Sequence, residues 1–584
     1  MLPVATWILA MSQTTAQPAP APTHSLVTRW AKDVSPTNPL PEYPRPQMAR
    51  RRWQSLNGPW SYGTTDLEAT EPPAKMDGRI LVPFPYESRL SGSQKPSIPH
   101  EKLWYRRTFT VPTAWKGRHI MLNFGAVNYE SRVIVNGKTV GGHVGGYDAF
   151  SYDITSVLRE GDNELVVSAV NPLRADVPDA QVLGKQRIHP ESIFYTGCTG
   201  IWQTVWLEPV PAAHIESIRM NPSVDHSSVT VSAIRAGDET MKVTVFDGGK
   251  EIASGVSRQP LNDVILHIPD AKLWTPESPF LYDVRVELGD DRITSYFGMR
   301  KISLGKDAEG HTTICLNNRP YFQVGPLDQG YWPDGIYTAP TDAALKSDIV
   351  ATKKFGFNMI RKHAKVEPAR WYYHADKLGV LVWQDMPQMF GGKNDSLTSE
   401  SIQQFQHEWG RIIAQHINSP SIVIWTPFNE GWGQHDTPEV VRFTHAQDPS
   451  RLINNASGWT DKGVGDINDV HAYPGPGSNM PEEHRAAVNG EFGGVTLSVP
   501  GHRWTENVMG YGATLDSGKV ATDRYVELLR AAYALKASHG TCAFVYTQLT
   551  DVEQEINGLL TYDRSVTKLN AKAVAAANRG EFSK

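Results

Sequence analysis

From about residue 28 to 209, apolar and polar side chains alternate in short runs, as in RILVPFPYE (79–87), LWYRRTFTVP (103–112), RHIMLNFGAVNYESRVIVNGKTV (118–140) and NELVVSAVNP (163–172). A period of two marks strands with one buried face. Asn136-Gly137, set between two such runs, predicts a tight hairpin. GIWQTVWLEPV (200–210) reads as the last strand of the set. Many short strands over this length predict a jelly-roll β-sandwich. A second set, VTVSAI, MKVTVFDGG, DVILHIP, YDVRVEL and ISLG, recurs between about 210 and 305. It predicts a smaller immunoglobulin-like β-sandwich.

After about residue 306 the period changes. TDAALKSDIVATKKFG precedes FNMIRKH, EPARWYYHADKLG precedes VLVWQDMP, and SESIQQFQHEWGRIIAQHINSP precedes SIVIWTPFNE. Amphipathic helices alternating with short apolar strands imply a parallel sheet with right-handed crossovers. The remaining ~280 residues suit one eightfold barrel. Its strands are expected at FQVG (322–325), NMIRKH, VLVWQD, IVIWTPFNE, RLINNASG (451–458), DVHAYP (469–474), VNGEF (488–492) and CAFVYTQ (542–548). The predicted chain is therefore multidomain: a jelly-roll β-sandwich (28–209), an immunoglobulin-like β-sandwich (210–305) and a C-terminal (β/α)8 TIM barrel (306–584).

Ahead of these lies MLPVATWILAMSQTTAQPAPAP, whose first eleven residues are mostly apolar and whose Thr14-Thr15-Ala16 suits cleavage. Residues 1–27 are expected to be a secretory signal and a Pro/Ala linker, placing the protein outside the cell or in the periplasm. No later apolar run is long enough to span a membrane. The 57 Lys+Arg against 62 Asp+Glu give a net charge of -5, which excludes a nucleic-acid partner. Cys198, Cys315 and Cys542 are too far apart for a zinc site or a disulfide framework. Seventeen Trp and 21 Tyr offer faces on which sugar rings stack.

The chemistry gathers on two glutamates. Glu430 closes the run SIVIWTPFNE and Glu491 closes AAVNGE, so both are expected at the C-terminal ends of barrel strands, the fourth and the seventh. That face of a barrel presents catalytic groups. Glycoside hydrolysis needs two carboxyl groups there, one to protonate the leaving oxygen and one to attack or to activate water.

LNGPW (56–60), VNGKTVGGHVGGYDAFSYDIT (135–155), TGIWQTVWLE (199–208), NMIRKH (358–363), PSIVIWTPFNEGW (420–432), GEFGG (490–494) and TQLTDVEQEINGLLTYDR (547–564) together resemble glycoside hydrolase family 2 over nearly the whole chain. The resemblance implies a retaining exo-β-glycosidase with Glu430 as acid/base, Glu491 as nucleophile and Asn429 on the sugar 2-hydroxyl. An oligosaccharide is the expected partner, with no cofactor and no metal. The sequence departs from the family pattern in three places. No Asn-x-Lys motif of the glucuronidases follows Glu491. HAYPGP (471–476) stands where Asn-x-Tyr is usual. Tyr546 stands where many members carry Trp.

The neighbouring residues suggest further roles. Arg361 and Tyr473, at the ends of strands two and six, are placed to hold Glu491 ionised. Trp425, Phe428 and Trp432 flank Glu430 and are placed to exclude water from it. His363, Asp385 and His471 end other strands and are candidate substrate contacts. Trp459 and Trp504 sit on loops where either can stack on a sugar, and Tyr546 is expected to line the pocket. HVGGYDAF, with His143 and Asp148, reads as a glycine-rich turn closing the first sandwich. GKQ (184–186) likewise reads as belonging to that sandwich, with a reach into the barrel mouth as the alternative. The expected substrate is a β-galactoside of plant or algal oligosaccharides. β-Glucuronidase, α-L-arabinosidase and β-mannosidase activities stay open, as does a carbohydrate-binding protein without turnover.

Overall fold

The computed structural model describes residues 26–173, 180–258, 260–390 and 397–582. The apolar N-terminal run lies outside the described residues. Of the expected linker, Leu26 is already buried in the barrel-side core. The Thr28 N–H and hydroxyl both donate to Asp334 of a barrel loop.

The first sandwich pairs a six-stranded antiparallel sheet with a four-stranded one. Alternate residues of both, among them Trp60, Leu103, Tyr105, Leu122, Val133 and Leu165, form one apolar core. The hairpin turn falls at Asn136-Gly137, both with positive φ, a conformation that Asn and Gly tolerate best. The second sandwich packs a three-stranded sheet on a four-stranded one. ISLG, expected among its strands, lies elsewhere. Ile302–Lys306 pairs with Thr312–Leu316 in a separate three-stranded sheet. Ile302, Ile314 and Leu316 share a core with Met359, Leu381, Trp383 and Val488 of the barrel strands, so this small sheet plugs the barrel floor.

The eight barrel strands are Gln323–Asp328, Met359–Lys362, Leu381–Asp385, Ile422–Thr426, Leu452–Ile453, Ile467–Ala472, Ala486–Gly493 and Ala543–Thr547. They form one sheet in the order five-four-three-two-one-eight-seven-six. Strand five is shorter than its sequence suggests. The side chains of Asn454 and Asn455 donate to Asp469 and Asp461, local bonds that compete with a ladder. The seam between strands five and six is closed by Ile453, whose N–H donates to the Asp466 carboxylate and whose carbonyl accepts from the Asp466 N–H. Among the described residues, no helix stands between strands five and six or six and seven. Loops take their place over the barrel mouth.

The first sandwich grips the barrel from the side. Gly146 and Tyr147 donate their N–H groups to Glu408 on the barrel helix Ser399–His416, and Arg411 pairs with Asp148. HVGGYDAF is thus a docking loop and not only a sandwich turn. All three cysteines are buried and unpaired. No helix among the described residues is long and apolar enough to cross a membrane.

Candidate active site

Strand ends two, three, four, six and seven converge on one guanidinium. Arg361 is fully buried. It donates through Nε and Nη2 to the two oxygens of Asp385 at 3.1 and 2.8 Å, and through Nη2 to Asn429 Oδ1 at 2.8 Å. Its Nη1 reaches the Gly490 carbonyl at 3.1 Å and Glu491 Oε1 at 3.2 Å. A planar fork with five donors suits this task, where a lysine would satisfy fewer partners.

Glu491 takes its second oxygen to Tyr473, whose hydroxyl donates to Oε2 at 2.7 Å. Tyr473 is itself stacked on Tyr511 at 4.2 Å between ring centroids. Burial alone would raise the Glu491 carboxyl, but the charges of His471 and Arg361, with Lys185 behind them, carry it down to about 2. It is a carboxylate at any ordinary pH.

Glu430 sits on a turn with φ 52°, a strained conformation for a residue with a Cβ and one that recurs at active sites. The turn is held by strand five's extension: Glu430 donates its N–H to the Ser457 carbonyl and Ser457 donates to the Phe428 carbonyl. The side-chain partner of Glu430 is His471, Nδ1 to Oε1 at 2.7 Å. His471 Nε2 meets Ser457 Oγ at 2.7 Å, and Ser457 donates to Asp469 at 2.5 Å. Burial works against the imidazolium, yet Glu491, Glu430 and Asp469 outweigh it and raise His471 above the usual histidine value.

His363 lies on the far side, its Nδ1 2.7 Å from Asp385 Oδ2. Burial first, then the charges of Lys185 and Arg361, hold it well below the ordinary histidine range, so it is neutral. Asp385 is fully buried and is spent on Arg361 and His363. It orients those two side chains and offers nothing to a substrate. Trp459 is exposed and sets its ring on edge against His471 at 5.8 Å, at the rim.

Other expectations need correction. Tyr546 does not line the mouth. Its ring packs between Phe492 and Tyr525, and its hydroxyl accepts the Val495 N–H, because alternate residues of a barrel strand face the helices. Trp504 packs on Tyr562 and lines a separate small cavity with Leu26 and Trp332. Trp425 packs on Trp409 and donates to Asp448, while Phe428 stacks on Phe405. Of the three aromatics expected around Glu430, those two face away and Trp432 stays at the mouth with Phe390 and Phe194.

GKQ brings Lys185 to the mouth, the less favoured of its two sequence readings, and sequence reasoning missed the contact of Ser457 with Asp469 behind His471. Ser457 and Asp469 lie in segments already read as strands five and six, and their position at strand ends was the available signal. Glu430, His471 and Glu491 present one ligand-type atom each within 4.8 Å of one another, the spacing of a metal site. Both His471 nitrogens are committed to hydrogen bonds, so the donor set does not fit an ion and none is assigned.

Three models of glycosyl hydrolases family 2 match in succession: the sugar binding domain at residues 53–211, the family 2 domain at 213–300 and the TIM barrel domain at 338–487. The last covers Glu430 and stops short of Glu491. A β-glucuronidase of Bacteroides fragilis is 27% identical over 396 residues, 60% of this chain and 54% of that protein. A β-galactosidase of Thermoanaerobacter pseudethanolicus is 25% identical over 383 residues, 60% of this chain and 47% of that protein. The chain thus spans about half the length of the curated relatives it matches. Among solved structures, a β-glucuronidase from Ruminococcus gnavus in complex with an N1-substituted uronic isofagomine superposes with a TM-score of 0.72 at 18% identity, covering 92% of this chain and 99% of that one.

Proposed function

This chain belongs to glycosyl hydrolases family 2, and from that premise we propose that it is a retaining exo-β-glycosidase. Glu491 attacks the anomeric carbon, forming a C1–O ester bond as the glycosidic C1–O bond breaks. The leaving oxygen takes the proton held at Glu430. Glu430, now a carboxylate, removes a proton from water, which attacks C1 and releases Glu491.

One observation carries this reading. A carboxylate oxygen of Glu430 and one of Glu491 lie within 4.8 Å of each other. A retaining pair is spaced at roughly 5–5.5 Å and an inverting pair at roughly 6.5–9.5 Å, to leave room for water. The two carboxyl groups have different partners: Glu491 is held by a guanidinium and a phenol, whereas the side-chain partner of Glu430 is the His471 imidazole. Asn429, braced by Arg361, stands beside the acid where a 2-hydroxyl can bond to it.

The relatives carry both names, β-glucuronidase and β-galactosidase, so the substrate class is a β-linked hexose or hexuronic acid at a chain end. The test is a panel of aryl β-glycosides run beside Glu491→Gln. The variant is expected to lose about four orders of magnitude or more in kcat, as removal of a nucleophile does. A 2-deoxy-2-fluoro glycoside should leave its sugar on the Glu491 peptide, read by mass spectrometry. Turnover in the variant, or a label elsewhere, overturns the assignment.

A further inference from the structure

The loop 183–186 of the first sandwich crosses to the barrel mouth and is clamped there from both sides. Gln181–Val182 adds antiparallel to Met389–Phe390, just past barrel strand three. The N–H groups of Leu183 and Gly184 both donate to the Gln388 carbonyl at 3.0 Å. Gly184 has φ +60° and lies against the Ala364 carbonyl, with no room for a Cβ. On the sandwich side, Gln186 accepts from Asn128 and the Cys198 N–H and donates to Tyr147.

This loop delivers Lys185. The residue is 5% exposed, with Nζ 5.8 Å from the Trp432 ring and 6.0 Å from that of Tyr195. Trp432 stands at the mouth of the cleft with Phe390, which places the ammonium there, and its charge bears on Glu491 and on His363. Three other cations near the mouth are matched: Arg361 by Asp385 and Glu491, Lys362 by Asp328 and Glu367, Lys365 by Glu367; Arg187 lies over Phe194 and Phe390 and donates to the Gln186 carbonyl. Among the described residues, Lys185 has no carboxylate partner and no hydrogen-bond acceptor. A largely buried lysine without a counter-charge keeps only part of its hydration, and aromatic faces offset only part of that loss. Three N–H donors remain to be satisfied.

We propose that Lys185 is a specificity-determining residue of the glycone site, and that it pairs with an anionic substituent, a carboxylate or a sulfate ester, on the sugar that Glu491 attacks. The proposal rests on the reading of this cleft as a glycosidase site. It selects acidic over neutral sugars of the same ring configuration, and it departs from the β-galactoside expected from sequence.

The experiment uses the full chain and substrate pairs that differ only at C6: aryl β-glucuronide against β-glucoside, aryl β-galacturonide against β-galactoside, and 6-sulfated against unsulfated β-galactoside. The readout is the ratio of kcat/KM, acidic over neutral, in native protein, Lys185→Met and Lys185→Arg. The native ratio should exceed one in at least one pair, and the pair that shows it names the anion. Lys185→Met should cut that ratio about 10- to 100-fold, chiefly through KM, as loss of a hydrogen bond to a charged group does. Lys185→Arg should recover part of it. A native ratio at or below one in every pair overturns the proposal, as does an equal loss on both members of a pair. Titration of the free sugars against tryptophan fluorescence separates the two readings if nothing is cleaved. Tighter binding of the acidic sugar, lost in Lys185→Met, keeps Lys185 in its role while the catalytic reading fails. Equal binding of both sugars ends the proposal.

Discussion

His471 touches both carboxylates of the cleft: its Nδ1 is 2.7 Å from Glu430 Oε1 and 3.6 Å from Glu491 Oε2. One imidazole therefore links the proposed acid to the proposed nucleophile, and its charge acts on each. Nε2 leans on Ser457 and through it on Asp469, which keeps the ring from rotating away.

The consequence is a pH dependence with a definite sign. A cation beside a carboxylate favours its ionised form and lowers its pKa. His471 is the largest such influence on Glu491, ahead of Arg361, and helps hold it at about 2. His471→Asn removes the charge and keeps a polar side chain of similar reach. The Glu491 pKa should then climb toward the ordinary glutamate value of about 4.3. The acidic limb of the kcat/KM profile should move up with it, while activity near neutral pH falls far less than it does in Glu491→Gln. An acidic limb that stays in place would show that Arg361 and Tyr473 suffice.

Asp385 invites a different test. It is fully buried, bidentate to Arg361 and bonded to His363. Asp385→Ala leaves the Arg361 guanidinium with Glu491 as its remaining ion partner. Breaking a buried pair by removing one member costs about 3–5 kcal/mol, because the other charge stays behind desolvated. The expected outcome is a clear fall in the denaturant midpoint together with loss of turnover. Asp385→Asn, which keeps one acceptor oxygen, should fall less in stability. A midpoint unchanged in the alanine variant would mean that the barrel mouth relaxes and lets water reach Arg361.

The barrel was legible because its strands are short, apolar and followed by amphipathic helices, and the same count located Glu430 and Glu491. The register within a strand was harder to read. Tyr546 ends an apolar strand like its neighbours, yet it faces the helix Gly518–His539 and not the mouth. A strand buried on both faces has no polar alternation to tell inside from outside. ISLG carried the same alternation as the second sandwich and ended on the barrel floor, since local pattern fixes a strand's existence and not its partner. Lys185 was the hardest residue to place, its reach into the mouth being the less favoured reading of GKQ. Nothing near GKQ in sequence marks a barrel contact. The contact arises from pairing between residues 181–182 and 389–390, a separation that no local pattern encodes.

That crossing contact can be tested apart from the lysine it carries. Gly184 holds a positive φ and abuts the Ala364 carbonyl, so an alanine there suffers twice, once from its own backbone preference and once from the collision. Gly161 also has a positive φ, at +83°, but an added Cβ there meets nothing within 4 Å. Each Gly→Ala change should cost about 1 kcal/mol from backbone conformation alone. Only Gly184→Ala should push the loop off strand two and withdraw Lys185 from the cleft. KM on the preferred substrate should therefore rise in Gly184→Ala and stay at the native value in Gly161→Ala, and the unfolding midpoint should fall further in Gly184→Ala, which carries the collision as well. Equal KM values in the two variants would mean that the loop tolerates displacement, and that Lys185 reaches the cleft by the flexibility of its own stem rather than by the fit of the first sandwich against the barrel.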